Sequence, residues 1–559
     1  MKTACKKSNY KSTLEAASAL TELFAEHPEW ICHEGSLSYA LRNIDIKINI
    51  ARRSPVVSYT CDGGARAWRI CDWNREGSNL TLQTDHQSKS GHEILEFIPR
   101  ASLEENLAVV FAARRAACWQ LARLVATQIN GARIEHVHSS AGARGGYPGR
   151  YARIIILNLR NSINGRSRIA VTSCIEPEGL YEKSWTSHQT GSVESFLAAS
   201  LVWFDRLCRT KHPPENLWLI VRESHAGAIE SLLSTFRNGL KDSISLYMLA
   251  PSAPYSADFN AHEDEIELKR VQIKACHEIL AFTDSAENSP PIKLRFKRNS
   301  PQTRLARKII RLDPKSISTI RSAHGETLLF NGLAFARVRC VVGIERGWFG
   351  VEPREPSDRQ HIRELNDETW PELLRLVQEL KIHRSGAASP NASKRHILCG
   401  AAPEKWLEAI LRRDITQLDP GLILSPLYAQ LRLPPILPPV VPIAGEIKSS
   451  NQSSHSIDLL ALRNDGRLVI IELKAVEDRQ IIFQGVGYWL RVEAHRRAGN
   501  LKRAALFGRK KIADLPPLIY LVAPGLRFSR DTQILGALII PEIEIHRFDI
   551  NEDWRNGVR

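Results

Sequence analysis

The sequence predicts a multidomain α/β protein, and three observations carry that prediction. The chain has 559 residues, long enough for roughly three or four separate cores. Strand-like and helix-like segments alternate between 131 and 285. Towards the end, "IDLLALRNDGRLVIIELKA" at 457–475 reads as two strands apolar on both faces, the pattern of a sheet covered on both sides by helices.

Residues 1–130 start with helical "KSTLEAASALTELFAEHPEW", pass through the strands "IDIKINIA", "PVVSYTC" and "ARAWRICDW", and close on helical "EENLAVVFAARRAACWQLARLVATQI". They make an N-terminal α/β or β-rich domain. Residues 131–285 set the strands "ARIIILNL", "RIAVTSCI", "NLWLIV" and "ISLYMLA" among the helices "SVESFLAASLVWFDRLCR" and "AGAIESLLSTFRNGL", an α/β domain with partly parallel pairing. "DSAENSPP" at 284–291 reads as a linker. Residues 286–385 join basic helices to a small β segment that turns at Asn331-Gly332. "HRSGAASPNASKRH" at 383–396, rich in small and polar residues, opens the last domain, 386–559.

With 43% hydrophobic and 25% charged residues, the composition is that of a globular protein. No uninterrupted apolar run approaches roughly 18 residues and the first residues lack a signal-peptide core, so a cytoplasmic protein without a membrane partner is expected. The ten cysteines form no CxxC and no zinc-spaced set with His, which predicts reduced, mostly buried thiols. A net charge of +15 makes a polyanion a natural partner through counterion release.

Two motifs outside the last domain carry little chemistry. "GARGGYPGR" at 142–150 lacks the Gly-Lys-Ser/Thr ending of a phosphate-cradling loop and reads as a basic loop. His136 and His138 share a strand face, but nothing nearby completes a metal set.

The hairpin is different, because it buries charge. If Asn464, Asp465 and Gly466 form a three-residue loop, Arg463 pairs with Arg467 and Asp458 lies opposite Glu472, with Cβ atoms about 5 Å apart. A two-residue loop would leave the two carboxylates diagonal but still converging. Period-two alternation then puts Asp458, Leu460, Leu462, Leu468, Ile470, Glu472 and Lys474 on one face, and Ile457, Leu459, Ala461, Val469, Ile471, Leu473 and Ala475 on the other. Facing carboxylates call for a cation between them: Lys474, or a divalent metal such as Mg²⁺.

The flanking segments add candidates. "RQIIFQGVGYWLRVEAHRRAG" is a helix on which Gln480, Gln484, Tyr488, Arg491 and His495 form one polar stripe, with Gly485 and Gly487 allowing close approach to the sheet. Upstream, "APEKWLEAILRRDI" offers Glu404 or Glu408 on a Pro-started helix. Downstream, "RRAGNLKRAALFGRKK" holds seven basic residues and no acidic one, a backbone-contact segment expected beside the site.

Helical Glu404, Asp458 in "SIDLLAL", the "ELK" of Glu472, Leu473 and Lys474, and the helix with Gln484 and Tyr488 together resemble the PD-(D/E)XK nuclease superfamily, in particular its RecB-like and NucS-like branch with a tRNA-endonuclease-like fold. The resemblance covers about 400–530, and Ile457 stands where the motif is written with Pro. It implies a restriction-endonuclease-like α/β/α domain with a mixed central sheet. It also implies Mg²⁺ or Mn²⁺ held by Asp458, Glu472 and the Leu473 carbonyl, with Glu404, Lys474, Gln484 and Tyr488 completing the catalytic set and Glu446 as an extra ligand. The implied activity is a metal-dependent endonuclease acting on nucleic acid, expected to be DNA, with Arg491, His495, Arg496, Arg497, Lys502, Arg503, Arg509, Lys510 and Lys511 contacting its backbone. The competing expectation is an inactive nuclease fold serving as a nucleic-acid-binding or interaction module. Oligomeric state is left open, a dimer included.

Overall fold

The computed structural model describes residues 13–559 apart from 35–36, 52–53, 62–63, 86–91, 100–102, 142–147, 159–166, 176–192, 252–265, 285–302, 323–324, 342–343, 352–362, 386–395 and 435–455. Most of "GARGGYPGR", most of both linkers, most of the Pro-rich "LPPILPPVVP" and Glu446 lie outside the described residues.

Among the described residues four sheets organise the chain, which is mixed α/β as the sequence predicts. Helix α1 (Thr13–Ala25) packs on strands β1 to β7 (Glu29–Glu34, Leu37–Arg42, Ile46–Ala51, Ser54–Cys61, Gly64–Glu76, Asn79–Asp85, His92–Pro99), an antiparallel sheet in the order β2-β1-β7-β6-β5-β4-β3. Helix α2 (Leu103–Thr127) does not close this unit. Its Cys118, Leu121, Ala122 and Val125 share a core with Ala152, Ile154, Ile156 and Val171 of the next sheet. The first core therefore ends with β7, because the apolar stripe of α2 is complementary to the second sheet.

The second sheet, in the order β13-β12-β11-β10-β9-β8, holds β8 (Ala132–Ala141), β9 (Pro148–Asn158), β10 (Ser167–Cys174), β11 (Asn216–Arg222), β12 (Ile244–Pro251) and β13 (Ile266–Val271). Its central strands β10, β11 and β12 are parallel, joined by helices α3 (Val193–Cys208), α4 (Glu223–Ser234) and α5 (Asn238–Lys241), while its outer strands are antiparallel. Helix α6 (Cys276–Asp284) follows. The third sheet is an antiparallel meander, β14 (Ile317–Ser322), β15 (Gly325–Phe330), β16 (Leu333–Val341), β17 (Ile344–Phe349) and β18 (Arg363–Leu365), packed with α7 (Arg304–Ile310), α8 (Trp370–Arg384) and α9 (Ile397–Gly400).

The last sheet runs β19 (Tyr428–Leu431), β20 (Ile457–Leu462), β21 (Leu468–Leu473), β22 (Leu518–Pro524) and β23 (Ile545–Ile550). The first three are antiparallel and the last two parallel to β21. Helix α10 (Pro403–Leu411) precedes it, α11 (Ile481–Arg497) and the short α12 (Asn500–Arg503) cross from β21 to β22, and α13 (Asp531–Ala537) leads to β23. Both faces of this sheet are covered. Leu460, Leu462, Leu468 and Ile470 pack into one core, and Leu459, Ala461, Val469, Ile471 and Leu473 into another with Trp406 and Trp554. This is the two-sided pattern expected of the hairpin, except that Ile457 joins the first core rather than the second.

The first of those cores does not stop at the last domain. It takes in Phe196, Leu201 and Trp203 of α3, Leu232 and Leu233 of α4, and Phe483, Val486 and Leu490 of α11. One layer of helices is therefore shared between the second and fourth sheets, and a bridge between Phe236 and Ile539 ties the two across it. No helix among the described residues is long and apolar enough to cross a membrane. The described cysteines are all free, but Cys174, Cys208 and Cys340 are exposed, so burial of the thiols is less general than expected.

Candidate active site at the end of the fourth sheet

The hairpin turn sets the geometry. Gly466 adopts φ +84°, and the amide of Arg463 donates to the Arg467 carbonyl at 2.9 Å, which makes the loop three residues long. A Cβ on Gly466 would come within 2.7 Å of the Lys511 carbonyl, so the turn needs glycine for space as well as for conformation. Pairing of Leu459 with Ile471 and of Leu462 with Leu468 then brings Asp458 opposite Glu472, at the end of the sheet away from the turn.

Asp458 is held on both sides. Its Oδ2 accepts from the Leu473 amide at 3.0 Å and its Oδ1 from Gln430 Nε2 at 3.0 Å. Glu472 is 2% exposed; its Oε1 accepts from Lys474 Nζ at 2.7 Å, while its Oε2 has no hydrogen-bond partner among the described residues. Burial, outweighing the attraction of Lys474 and joined by repulsion from Asp458, pushes the Glu472 carboxyl above the usual carboxylate range, so a cation beside it is needed to hold the charge. Burial works against the Lys474 ammonium as well, but Glu472 and Glu404 outweigh it and keep Lys474 firmly protonated.

Both acidic candidates on α10 reach this cluster, by different routes. Glu404 is raised by burial, is drawn the other way by Lys474, and accepts a hydrogen bond from the Ala475 backbone. Glu408 is ion-paired with Lys405 at 2.9 Å and lies 3.6 Å from Arg412. Among the described residues it connects to Asp458 through Gln430, whose Nε2 reaches Glu408 Oε2 at 3.0 Å. Glu404 is thus the carboxylate beside Lys474, and Glu408 a salt-bridged neighbour.

Gln430 is the residue that sequence reasoning misses. It sits in β19 with φ +52°, a left-handed conformation unusual for a side chain other than glycine, and its Oε1 accepts from Ser456 Oγ at 2.7 Å. Nothing in "PLYAQLRLPP" signals this, because its partners are 22 and 28 residues away.

The third unit fixes α10 from behind. The Arg384 guanidinium, fully buried, donates to the carbonyls of Phe330, Asn331, Leu398, Ala401 and Ala402 and lies 4.7 Å from the Trp406 ring centroid. The expected Asn331-Gly332 turn presses directly on the helix: a Cβ on Gly332 would come within 2.0 Å of the Lys405 carbonyl.

On α11, Tyr488 is buried, and burial, with Glu472 and Asp458 nearby, raises its hydroxyl well above the usual range and keeps it a donor. The buried Oε1 of Gln484 has no partner among the described residues. The stripe is therefore not a solvated face at these two positions. Gly485 lets the helix lie close to the sheet, since its Cβ would meet Ile519 at 2.9 Å, whereas Gly487 has only Leu232 at 3.9 Å and serves no such purpose.

The basic segment requires a correction. Helix α11 starts at the carboxylate end and its 17 residues carry the chain about 25 Å away. Residues 496–511 therefore lie by the hairpin turn, where Lys511 meets Gly466 and the Ala513 amide donates to the Gly466 carbonyl. His495 is fully buried between the Pro434 carbonyl and Asn500, so it is no surface contact. Arg496 is taken up by Glu493 and Asp514, and Arg497 by Glu493. Lys502, Arg503, Arg509, Lys510 and Lys511 are exposed but at the far end, and Arg491 is half-buried.

Among the described residues no three His, Cys, Asp or Glu side chains lie close enough to hold a metal ion as they stand. The donors present nonetheless suit a hard divalent cation: a buried carboxylate whose second oxygen has no partner among the described residues, and a second carboxylate opposite it. A pocket lined by Gly400, Pro403, Ala475, Val476, Arg527 and Arg555 includes chain neighbours of Glu404 and Lys474, but not Asp458, Glu472 or Lys474 themselves. Comparison with protein-family models, curated proteins and solved structures finds no match for the chain.

Proposed function

We propose that the last domain is a metal-dependent nuclease of the PD-(D/E)XK type, with a restriction-endonuclease-like fold, hydrolysing phosphodiester bonds in nucleic acid, DNA being the expected substrate. The observation that carries this reading is the buried Glu472 carboxylate, paired with Lys474 and opposite Asp458, at the end of a sheet covered on both faces. A mixed sheet with an antiparallel hairpin, a crossover helix and a parallel return strand supports it.

In this reading Asp458, Glu472 and the Leu473 carbonyl hold Mg²⁺ or Mn²⁺. A divalent cation there supplies Lewis-acid polarisation of a phosphoryl oxygen and makes water acidic enough to attack. Lys474, protonated and fixed by Glu472, stabilises negative charge gathering on the phosphoryl oxygens. Tyr488 offers a hydroxyl proton and Gln484 a free amide oxygen towards the same end. Glu404, whose carboxyl is raised, holds water on the α10 side.

One observation favours a second reading, an inactive nuclease fold that only binds: both Asp458 oxygens are already hydrogen-bonded. The two readings separate on incubation of the purified protein with plasmid and single-stranded DNA, with and without Mg²⁺ or Mn²⁺, alongside Asp458→Ala and Glu472→Ala. Metal-dependent cutting lost in both variants supports the nuclease; binding without cutting, indifferent to either substitution, rejects it.

A further inference from the structure

We propose that Arg153, Arg206 and Arg479 form a phosphodiester-binding site, supplied largely by the second sheet and its helices, which holds the nucleic acid strand whose scissile bond reaches Glu472 and Lys474. The proposal rests on the nuclease reading for its substrate, but its residues lie outside the candidate catalytic set.

Arg153 stands in β9 between Tyr151 and Ile155, which share its face by period two and pack against the helix layer. It therefore points into the layer that joins the second and fourth sheets. Its guanidinium carbon lies 5.7 Å from the Trp203 ring centroid on α3, and Arg206 is three residues further along that helix, on the same side and exposed. Arg479, also exposed, comes from the loop before α11 and pairs at 3.2 Å with Asp531 of α13, a helix packed against α3. Arg206 and Arg479 both lie close enough to Arg153 to act, after burial, against its charge.

Neither Arg153 nor Arg206 has a carboxylate partner among the described residues, and the neighbouring Asp205 is occupied by Arg209 at 2.8 Å. Three guanidinium groups, of which only Arg479 is paired with an acid among the described residues, repel one another, and an anion relieves that repulsion. Planar arginine forks match phosphate oxygens in two-point contacts. The location selects which phosphate. Asp478, adjacent to Arg479, lies 3.7 Å from Lys474 Nζ, so the cluster is at the carboxylate end of the sheet.

The test uses the full chain carrying Glu472→Gln, so that substrate survives, and measures binding of fluorescein-labelled single- and double-stranded DNA by anisotropy between roughly 50 and 200 mM salt. Adding Arg153→Gln and Arg206→Gln should weaken binding at least tenfold at the upper salt and reduce the slope of log affinity against log salt by about 2, near 0.9 per lost contact. Exposed Arg206→Gln alone should reduce it by about 1 without changing the melting temperature, which keeps the test valid if Arg153→Gln unfolds the protein.

Unchanged affinity and slope in the folded variants would overturn the proposal while leaving the nuclease reading intact. A reduced slope, together with no metal-dependent cutting by the chain that keeps Glu472, would uphold the anion site and reject the nuclease. No DNA binding at all would reject the site. Stabilisation by inorganic phosphate that Arg206→Gln abolishes, with DNA affinity unaffected, would assign the arginines to a free phosphate and also overturn the proposal.

Discussion

Positive charge gathers at both ends of the fourth sheet, and its surroundings differ sharply. At the turn end, residues 496–511 form a dense basic run, yet Arg496 and Arg497 are committed to the buried Glu493. At the carboxylate end, Arg153, Arg206 and Arg479 come from three separate segments, and among the described residues only Arg479 has an acidic partner. Charge density along a sequence thus does not locate an anion site. What matters is which cations the fold leaves without a carboxylate, and near which chemistry.

If the turn end is structural, damage there should cost stability and spare activity. The largest such effect is expected for Glu493→Gln, which leaves two arginines without their buried counter-ion, one of them almost fully buried itself, and should lower stability by about 3 kcal/mol in denaturant titration. The pH dependence sharpens this. Burial alone would raise the Glu493 carboxyl, but hydrogen bonds from Arg496 and Arg497 outweigh it and hold it below the usual range. A lowered folded pKa contributes stability that is full above the ordinary value of about 4.3 and lost as pH falls through the folded value. The melting-temperature gap between wild type and Glu493→Gln should therefore narrow below about pH 4; a gap that widens there would show that the arginines do not hold this carboxylate.

Next in size is Gly466→Ala, where a left-handed φ and the Lys511 carbonyl oppose a side chain; a loss of about 2 kcal/mol is expected. On α11, Gly485→Ala should cost about 1 kcal/mol against the sheet, whereas Gly487→Ala should gain about that from helix propensity. Thermal or urea unfolding of the pair reads both signs. Smallest of all, replacing Lys502, Arg503, Lys510 and Lys511 by Gln should change DNA affinity at physiological salt less than Arg206→Gln does alone. A larger effect would return the nucleic-acid interface to the turn end.

The hairpin was legible because its information is local. Period-two alternation and the Asn-Asp-Gly turn give the register that faces Asp458 with Glu472, and the two apolar faces give the two cores. The basic run was equally visible, but its position follows from the length of α11, a tertiary quantity. Gln430 and Arg153 were not legible. Each gains its meaning from partners brought by folding, Gln430 from Glu408 and Asp458, and Arg153 from α3 and the loop before α11. The same holds for α2, whose apolar stripe does not reveal which sheet it covers.

On the proposed reading the buried Glu472 carboxylate, facing Asp458 and fixed by Lys474, carries the chemistry of the last domain. Glu472→Gln keeps the shape and a hydrogen-bonding oxygen but removes the charge. In single-turnover cleavage of a labelled DNA duplex in Mg²⁺, Glu472→Gln should be slower by at least about 100-fold, the scale of removing one key electrostatic group, with DNA affinity retained. Cleavage by Glu472→Gln at the wild-type rate would show that this carboxylate takes no part in the chemistry.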